Sequence, residues 1–284
     1  MKKIAILILC HKLPNQVNDF ISRFDSSRYD FIIHVDKKSN IQKDIVHNEN
    51  VYFVPDEHRI SVEWAVYSQV EAILSLIDTA VSIGSYEYYW LCSGQCFPIK
   101  NASYIDNFFE EADKNYMHVF EDLRFDKRSD LYYPDWMIGK RLYQRIIKKL
   151  WIILTGGSKY TFSIFRKSRP QGVEKLYHGS TWWCLKNETV VWMLDYISNH
   201  PEYSEYYKNA VCPDEGFFHT LINISPFSGS VDDYLVYVDW SEGKSSPKTL
   251  SDSDYDTLMG SDKLLARKVD SESDLELYNK LLEI

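Results

Sequence analysis

Along its first third the chain alternates short apolar runs with amphipathic stretches. Ile4–Cys10 is an unbroken apolar run stopped by His11-Lys12, and it reads as a strand covered on both faces. Asn15–Phe24 puts Val17, Phe20, Ile21 and Phe24 on one helical face. Phe31–Val35 repeats the strand pattern and ends abruptly at Asp36-Lys37-Lys38-Ser39. Val51–Val54 predicts a third strand and Val62–Ile77 a helix; Tyr88–Cys92 predicts a fourth strand, ending at Ser93-Gly94-Gln95. Strands alternating with helices predict an α/β fold built on a mixed, mostly parallel sheet flanked by helices. Ligands of such sheets gather where strands end, at their carboxyl edges. Asp36-Lys37-Lys38 and Ser93-Gly94-Gln95 are therefore candidate site segments.

Beyond the predicted strand Met117–Phe120 the pattern loosens. From Met137 to Gly172 there are nine Lys or Arg and no acidic residue, with Leu142, Tyr143, Ile146, Ile147, Leu150, Trp151 and Ile152 interleaved. The segment 137–169 has the composition of a basic amphipathic helix lying on an anionic membrane. A helix packed on the domain with a solvated basic rim has the same composition, and both readings stand at this point. Order then resumes. Gly179–Lys186 predicts a strand, Glu188–Asn199 and Asp214–Ile222 predict helices, Ser245–Ser253 a loop, and Ser271–Ile284 a helical tail.

Length and composition narrow the classes. The 284 residues suit one large domain, 1–284, with a sizeable core. The 15% aromatic content suits stacking on flat ligands and suits a large core equally. A net charge of −9 argues against nucleic acid as a partner. The five cysteines are odd in number and sit mostly in apolar runs, as reduced, buried thiols do; Cys92-x3-Cys96 has no second pair to complete a zinc site. The N-terminal apolar run is too short for a signal peptide and lacks a cleavage site, and no stretch approaches the roughly 20 apolar residues of a membrane span. These features predict a cytoplasmic protein, at most peripheral on the inner face of the membrane.

Cys212-Pro213-Asp214-Glu215 carries the most chemistry. Two acidic groups after a proline suit the positive end of a helix dipole. A carboxylate held there also suits a general base that deprotonates a hydroxyl. Trp182 and Trp183 offer a sugar-stacking face, although alternation along a strand sends one of them into the core.

Six blocks, in order, carry a resemblance: Ile33-His34-Val35-Asp36-Lys37-Lys38-Ser39, Val62-Glu63-Trp64-Ala65-Val66-Tyr67-Ser68, Leu91 to Lys100, Gly179 to Leu185, Cys212-Pro213-Asp214-Glu215, and Val238-Asp239-Trp240 with Ala266-Arg267-Lys268. Together they resemble the glycosyltransferase family of core-2 and I-branching β-1,6-N-acetylglucosaminyltransferases and peptide O-xylosyltransferases. The resemblance implies a GT-A-type fold and an inverting, single-displacement transfer from a UDP-sugar, with GlcNAc favoured as the sugar and xylose the alternative. It also implies a glycan or glycolipid acceptor, in keeping with surface polysaccharide synthesis. No divalent metal and no other cofactor is expected. Residues 1–115 would form the nucleotide-sugar half and 116–284 the acceptor and catalytic half.

Carried over residue by residue, Glu215 is the base, Asp36 reads the uracil edge and Trp64 stacks on it. Lys268 and, by a looser match, Lys248 hold the diphosphate. Glu121, Trp182 and Asp214 are assigned to the acceptor. Two lysines in place of a metal are physically reasonable, because the leaving diphosphate needs positive charge near it. Asp232-Asp233 and Asp252-Ser253-Asp254 keep a metal-dependent transferase open as an alternative, and a non-catalytic sugar- or nucleotide-binding protein is a second. The chain departs from the family pattern at Cys96, where an acidic residue usually follows Ser-Gly-Gln, and at Ala65, where glycine often follows the tryptophan.

Overall fold

The computed structural model describes residues 3–134, 138, 142–156 and 165–284. Ile4–Cys10 forms β1, Tyr29–Val35 β2, Val51–Phe53 β3 and Tyr88–Ser93 β4. β1 runs parallel to both β2 and β4, with Ile4 opposite Tyr29 on one side and Tyr88 on the other. The unbroken apolar sequence of β1 follows from this central position, since helices cover both of its faces. Pro14–Ser22 (α1) and Ser68–Ile83 (α2) supply such cover, through Val17, Phe20 and Ile21 and through Val70, Ile73, Leu76 and Ile77.

Phe97–Pro98 is β5, Ala102–Glu111 α3, Asn115–Tyr116 β6, Val119–Phe120 β7, Leu123–Asp130 α4 and Leu142–Thr155 α5. His178–Gly179 is β8, Cys184–Lys186 β9, Asn187–Asn199 α6, Pro201–Lys208 α7 and Phe217–Ile224 α8. Val231–Asp232 (β10), Val236–Val238 (β11), Tyr255–Met259 (α9), Leu265–Arg267 (β12) and Leu275–Leu282 (α10) complete the order. The main sheet runs β10-β6-β9-β4-β1-β2-β3, mostly parallel, with β9 antiparallel to β4 and β6. Smaller sheets pair β11-β12-β5 and β7-β8. This is the α/β architecture that the hydrophobic pattern predicts. One hydrophobic cluster runs from Ile4 to Leu281, so both halves of the chain share it.

Three element predictions need correction. The helix predicted over Val62–Ile77 begins only at Ser68, because Ala65 takes a left-handed conformation (φ 65°) that no helix accommodates. Gly179–Lys186 is two short strands in two different sheets rather than one. The helix predicted over Asp214–Ile222 is a 3-10 turn, Pro213–Glu215, then a break at Gly216, then α8 from Phe217. Within the basic segment 137–169 a helix does form, α5; Lys140, Arg141 and Lys159 lie outside the described residues. Among the described residues no helix is long and apolar enough to cross a membrane.

Candidate active site

A cleft of about 530 Å³ opens at the carboxyl ends of β1, β2 and β4. Three strand ends build its floor. At the end of β2, Asp36 Oδ1 accepts the Lys38 N–H at 2.8 Å, while the Asp36 N–H donates to the Cys10 carbonyl at 2.9 Å. Arg59 fixes this corner by donating to the carbonyls of Val35, Asp36 and Ser39 at 2.9, 3.0 and 2.9 Å. His34 accepts the Ile60 N–H at 2.9 Å. Burial pushes its pKa down to about 4, so its ring is neutral. Trp64 lines the cleft with 40% of its surface exposed, a large aromatic ring of the kind that stacks on flat ligands. At the end of β4, Gly94 is required by space, because a methyl there would sit 2.8 Å from the Cys10 Cβ.

The cleft's cationic wall comes from β12. Arg267 and Lys268 both line it. The Arg267 guanidinium lies 4.5 Å from the centre of the Trp182 ring and donates to the Ser93 hydroxyl. Beneath it sits the buried thiol of Cys96, which accepts the Ser93 N–H at 3.4 Å. Burial pushes this thiol's pKa up. The hydrogen bond from Cys92, the Arg267 charge and the Ser93 contacts outweigh burial and bring it down to about 6. The Cys96 thiol is thus the group that meets Arg267 at the position where the sequence departs from an acidic residue. Asp270 joins the walls: its Oδ2 accepts from Lys12 at 2.5 Å and from Gln95 at 3.0 Å.

The carboxylates of the Pro213–Glu215 turn lie beyond Gln69, at the inner side of the cleft. Asp214 is buried, and its Oδ2 accepts from Thr181 at 2.7 Å and from Gln69, a lining residue, at 3.0 Å. Glu215 itself does not line the cleft of Asp36 and Trp64. Its side chain is 36% exposed, and its Oε2 accepts from Arg128 at 2.7 Å. Burial and then the Asp214 carboxylate raise Glu215, against the pull of Arg128, to about 7. Burial raises Asp214 too. The turn begins at Cys212, which is left-handed (φ 52°) and donates its N–H to the Ala65 carbonyl at 2.9 Å. Two non-glycine residues in a sparsely populated conformation therefore clasp each other, one beside Trp64 and the other beside Glu215. The left-handed φ of Ala65 also explains why glycine suits that position.

Residues 4–258 match the Core-2/I-Branching enzyme family. The chain belongs to this family. Xylosyltransferase 2 of Mus musculus is 23% identical over 253 residues, covering 84% of this chain and 26% of that protein. Xylosyltransferase 2 of Rattus norvegicus is 24% identical over the same shares, so the chain spans 26% of the length of these curated relatives. Among solved structures, the bifunctional glycosyltransferase WbbM in its apo form aligns over 99% of this chain and 50% of its own, at 10% identity and a TM-score of 0.43. Mouse xyloside xylosyltransferase 1 aligns over 94% and 97%, at 8% identity and a TM-score of 0.42.

In this member of the Core-2/I-Branching enzyme family the site residues expected from the sequence divide into two sets. Asp36, Trp64, Trp182 and Lys268 line one cleft, and Asp214 with Glu215 adjoins it. Trp182 lies against Arg267, on the cationic side, rather than on a separate acceptor face. Asp214 is buried among hydrogen-bond donors from its own fold, which makes it a brace for the turn rather than an open acceptor ligand. Lys248 is a correction. Its backbone lies beside that of Lys268, but its ammonium is held by Asp254 at 2.6 Å and Asp239 at 3.8 Å and does not line the cleft. Glu121 is another, since it pairs with Lys175 at 3.1 Å and borders a different hollow, with Asp232 and Asp233. Asp252 pairs with Lys280 at 2.5 Å, and Asp254 with Lys248. Among the described residues no group of three or more His, Cys, Asp or Glu side chains is arranged to hold a metal.

Sequence reasoning missed Arg267, Arg128 and Asp270. Arg267 was within reach: it stands in the Ala-Arg-Lys block, and Leu265 and Ala266 before it are fully buried. Arg128 sits in the polar helix α4, where nothing in the sequence distinguishes it from surface charge.

Proposed function

We propose that this glycosyltransferase moves a sugar, GlcNAc or xylose, from a UDP-sugar to a hydroxyl of a glycan or glycolipid, with inversion and without a divalent metal. The observation that carries the reading is the convergence of Asp36, Trp64, Arg267 and Lys268 on one cleft, with the Glu215 turn joined to it through Gln69 and Asp214. The cleft's volume is in the range of small-molecule sites. Trp64 offers a stacking face for uracil and Asp36 an acceptor for its N–H edge. Arg267 replaces Lys248 as the second cation beside Lys268.

The chemistry runs in one displacement. The acceptor oxygen attacks the anomeric carbon as Glu215 takes its proton. The bond from that carbon to the β-phosphate oxygen breaks, and UDP leaves with the electron pair. Arg267 and Lys268 stabilise the charge that grows on the diphosphate. A carboxyl raised to about 7 is matched to proton transfer near neutral pH. Metal independence draws its support from these two cations and from the Asp pairs, in which Asp233, Asp252 and Asp254 already hold lysine partners.

The test is UDP release from a panel of UDP-sugars in EDTA, with wild type, Glu215→Gln and Arg267→Gln. Wild type releases UDP. Glu215→Gln loses several orders of magnitude in turnover and keeps its UDP affinity. Arg267→Gln weakens UDP binding by roughly ten- to a hundredfold, the worth of a charge-assisted hydrogen bond. Abolition of activity by EDTA overturns the metal-independent reading, absence of turnover with every donor favours a pure binder, and near-normal activity in Glu215→Gln removes the base.

A further inference from the structure

Helix α5 presents its apolar side outward. Leu142, Tyr143, Ile146, Leu150, Ile153 and Leu154 share one arc of the helix, about 120° wide at 100° per residue, and all six are exposed. Leu142, Ile153 and Leu154 keep 72%, 68% and 81% of their surface in the open. No other described helix exposes as many large apolar side chains. The inward side of α5 is narrow. Trp151 and Ile152 pack on a small cluster of Ala65, Val66, Leu131, Tyr133 and Val211. Basic side chains flank the exposed arc, with Arg145 and Lys149 on one edge, both exposed. The chain as a whole carries −9, yet this stretch is acid-free from Met137 to Gly172. A wide apolar face edged by cations, on an otherwise acidic protein, is the pattern of a helix lying in the plane of an anionic bilayer.

We propose that α5 docks this protein on an anionic lipid surface, its apolar arc in the acyl boundary and Arg145 and Lys149 at the headgroups. The charge pattern selects this occupant over a second copy of the chain, because in a two-fold dimer the face meets itself and sets its basic edge against like charge. The docking face is fastened to the site. The cluster under Trp151 and Ile152 contains Ala65 and Val66, next to Trp64, and Val211, which precedes the Cys212–Glu215 turn. Resting on the proposed transferase reading, this arrangement brings the base close to the bilayer and selects acceptors whose hydroxyl is presented there, as in a lipid-linked saccharide.

The experiment is vesicle co-sedimentation of the full chain. Phosphatidylcholine vesicles doped with phosphatidylglycerol are compared with phosphatidylcholine alone. Wild type pellets with the doped vesicles and much less with the neutral ones. The triple variant Leu150→Ser, Ile153→Ser, Leu154→Ser, all exposed positions away from the cleft, stays in the supernatant with an unchanged melting curve. Arg145→Gln with Lys149→Gln weakens binding about fivefold per residue removed, roughly 25-fold together. Wild type remaining in the supernatant, or a triple variant that pellets like wild type, overturns the proposal. So does a wild-type dimer in sedimentation velocity that the triple variant splits, since the face then serves self-association. Vesicle binding needs no turnover, so its failure is separate from any failure of Glu215→Gln to lose activity.

Discussion

The two neighbours of Glu215 pull its proton affinity in opposite directions, and exchanging each for a neutral isostere should move the enzyme's pH profile in opposite directions. Arg128 meets the carboxylate at 2.7 Å and favours its charged form, whereas the Asp214 carboxylate beside it opposes that form. With charge centres about 4 Å apart and an effective dielectric between that of a protein surface and water, such a pair is worth about 1–2 kcal/mol. The lower end applies, because 36% of the Glu215 side chain is exposed and solvent screens the pair. At 1.36 kcal/mol per unit, Arg128→Gln should raise the apparent pKa by about one unit. The sign follows from the role proposed for the group. A base must be unprotonated, so kcat/KM falls as pH drops through its pKa, near 7 in the wild type. Arg128→Gln therefore moves this acidic limb upward, costing activity at neutral pH that returns on raising the pH. Asp214→Asn moves the limb downward. The assay is kcat/KM for a UDP-sugar from pH 5 to 9, with tight pH control and the same acceptor throughout. An acidic limb that stays in place in both variants, or moves the same way in both, refutes the assignment of that limb to Glu215.

Three further outcomes follow from local geometry. Ala65→Gly should hold or raise the melting temperature, because glycine relieves a left-handed strain of about 1 kcal/mol, while Ala65→Val should lower it clearly. Gly179→Ala should lose more than about 3 kcal/mol in denaturant unfolding, since its methyl would lie 1.7 Å from the His118 carbonyl oxygen and break the pairing of β7 with β8. The Cys96 thiolate should be visible as ultraviolet absorbance that titrates near pH 6 and disappears in Cys96→Ser; a flat trace from pH 5 to 8 would contradict the pairing with Arg267.

The parts of the molecule governed by local periodicity were legible in the sequence. β1, β2 and β4 announce themselves as apolar runs because helices bury both faces, and α1 shows its apolar stripe at helical spacing. Errors occurred where a single residue breaks a pattern by backbone conformation, as at Ala65 and Gly216, or where two short strands share one apolar stretch, as at Gly179–Lys186. The site was legible in residue type more than in partnership. Lys248 and Lys268 look alike as lysines near a cleft, but only the fold brings Asp254 and Asp239 to Lys248. Glu121 likewise acquires Lys175 across 54 positions of sequence. Long-range ion pairs leave no periodic trace, which is also why Arg128 was missed.

Asp270 carries a consequence for how such an enzyme can change over time. By gripping Lys12 from the end of β1 and Gln95 from the end of β4, it ties the strand ends to the segment that carries Arg267 and Lys268. The wall that carries Arg267 and Lys268 is thus tied to the floor of the cleft by side-chain contacts, whereas the Glu215 turn meets the cleft through the Asp214 contacts and one backbone bond at Ala65. Substitutions around Glu215 therefore disturb fewer of the contacts that hold the cleft in shape than substitutions beside Asp270 do.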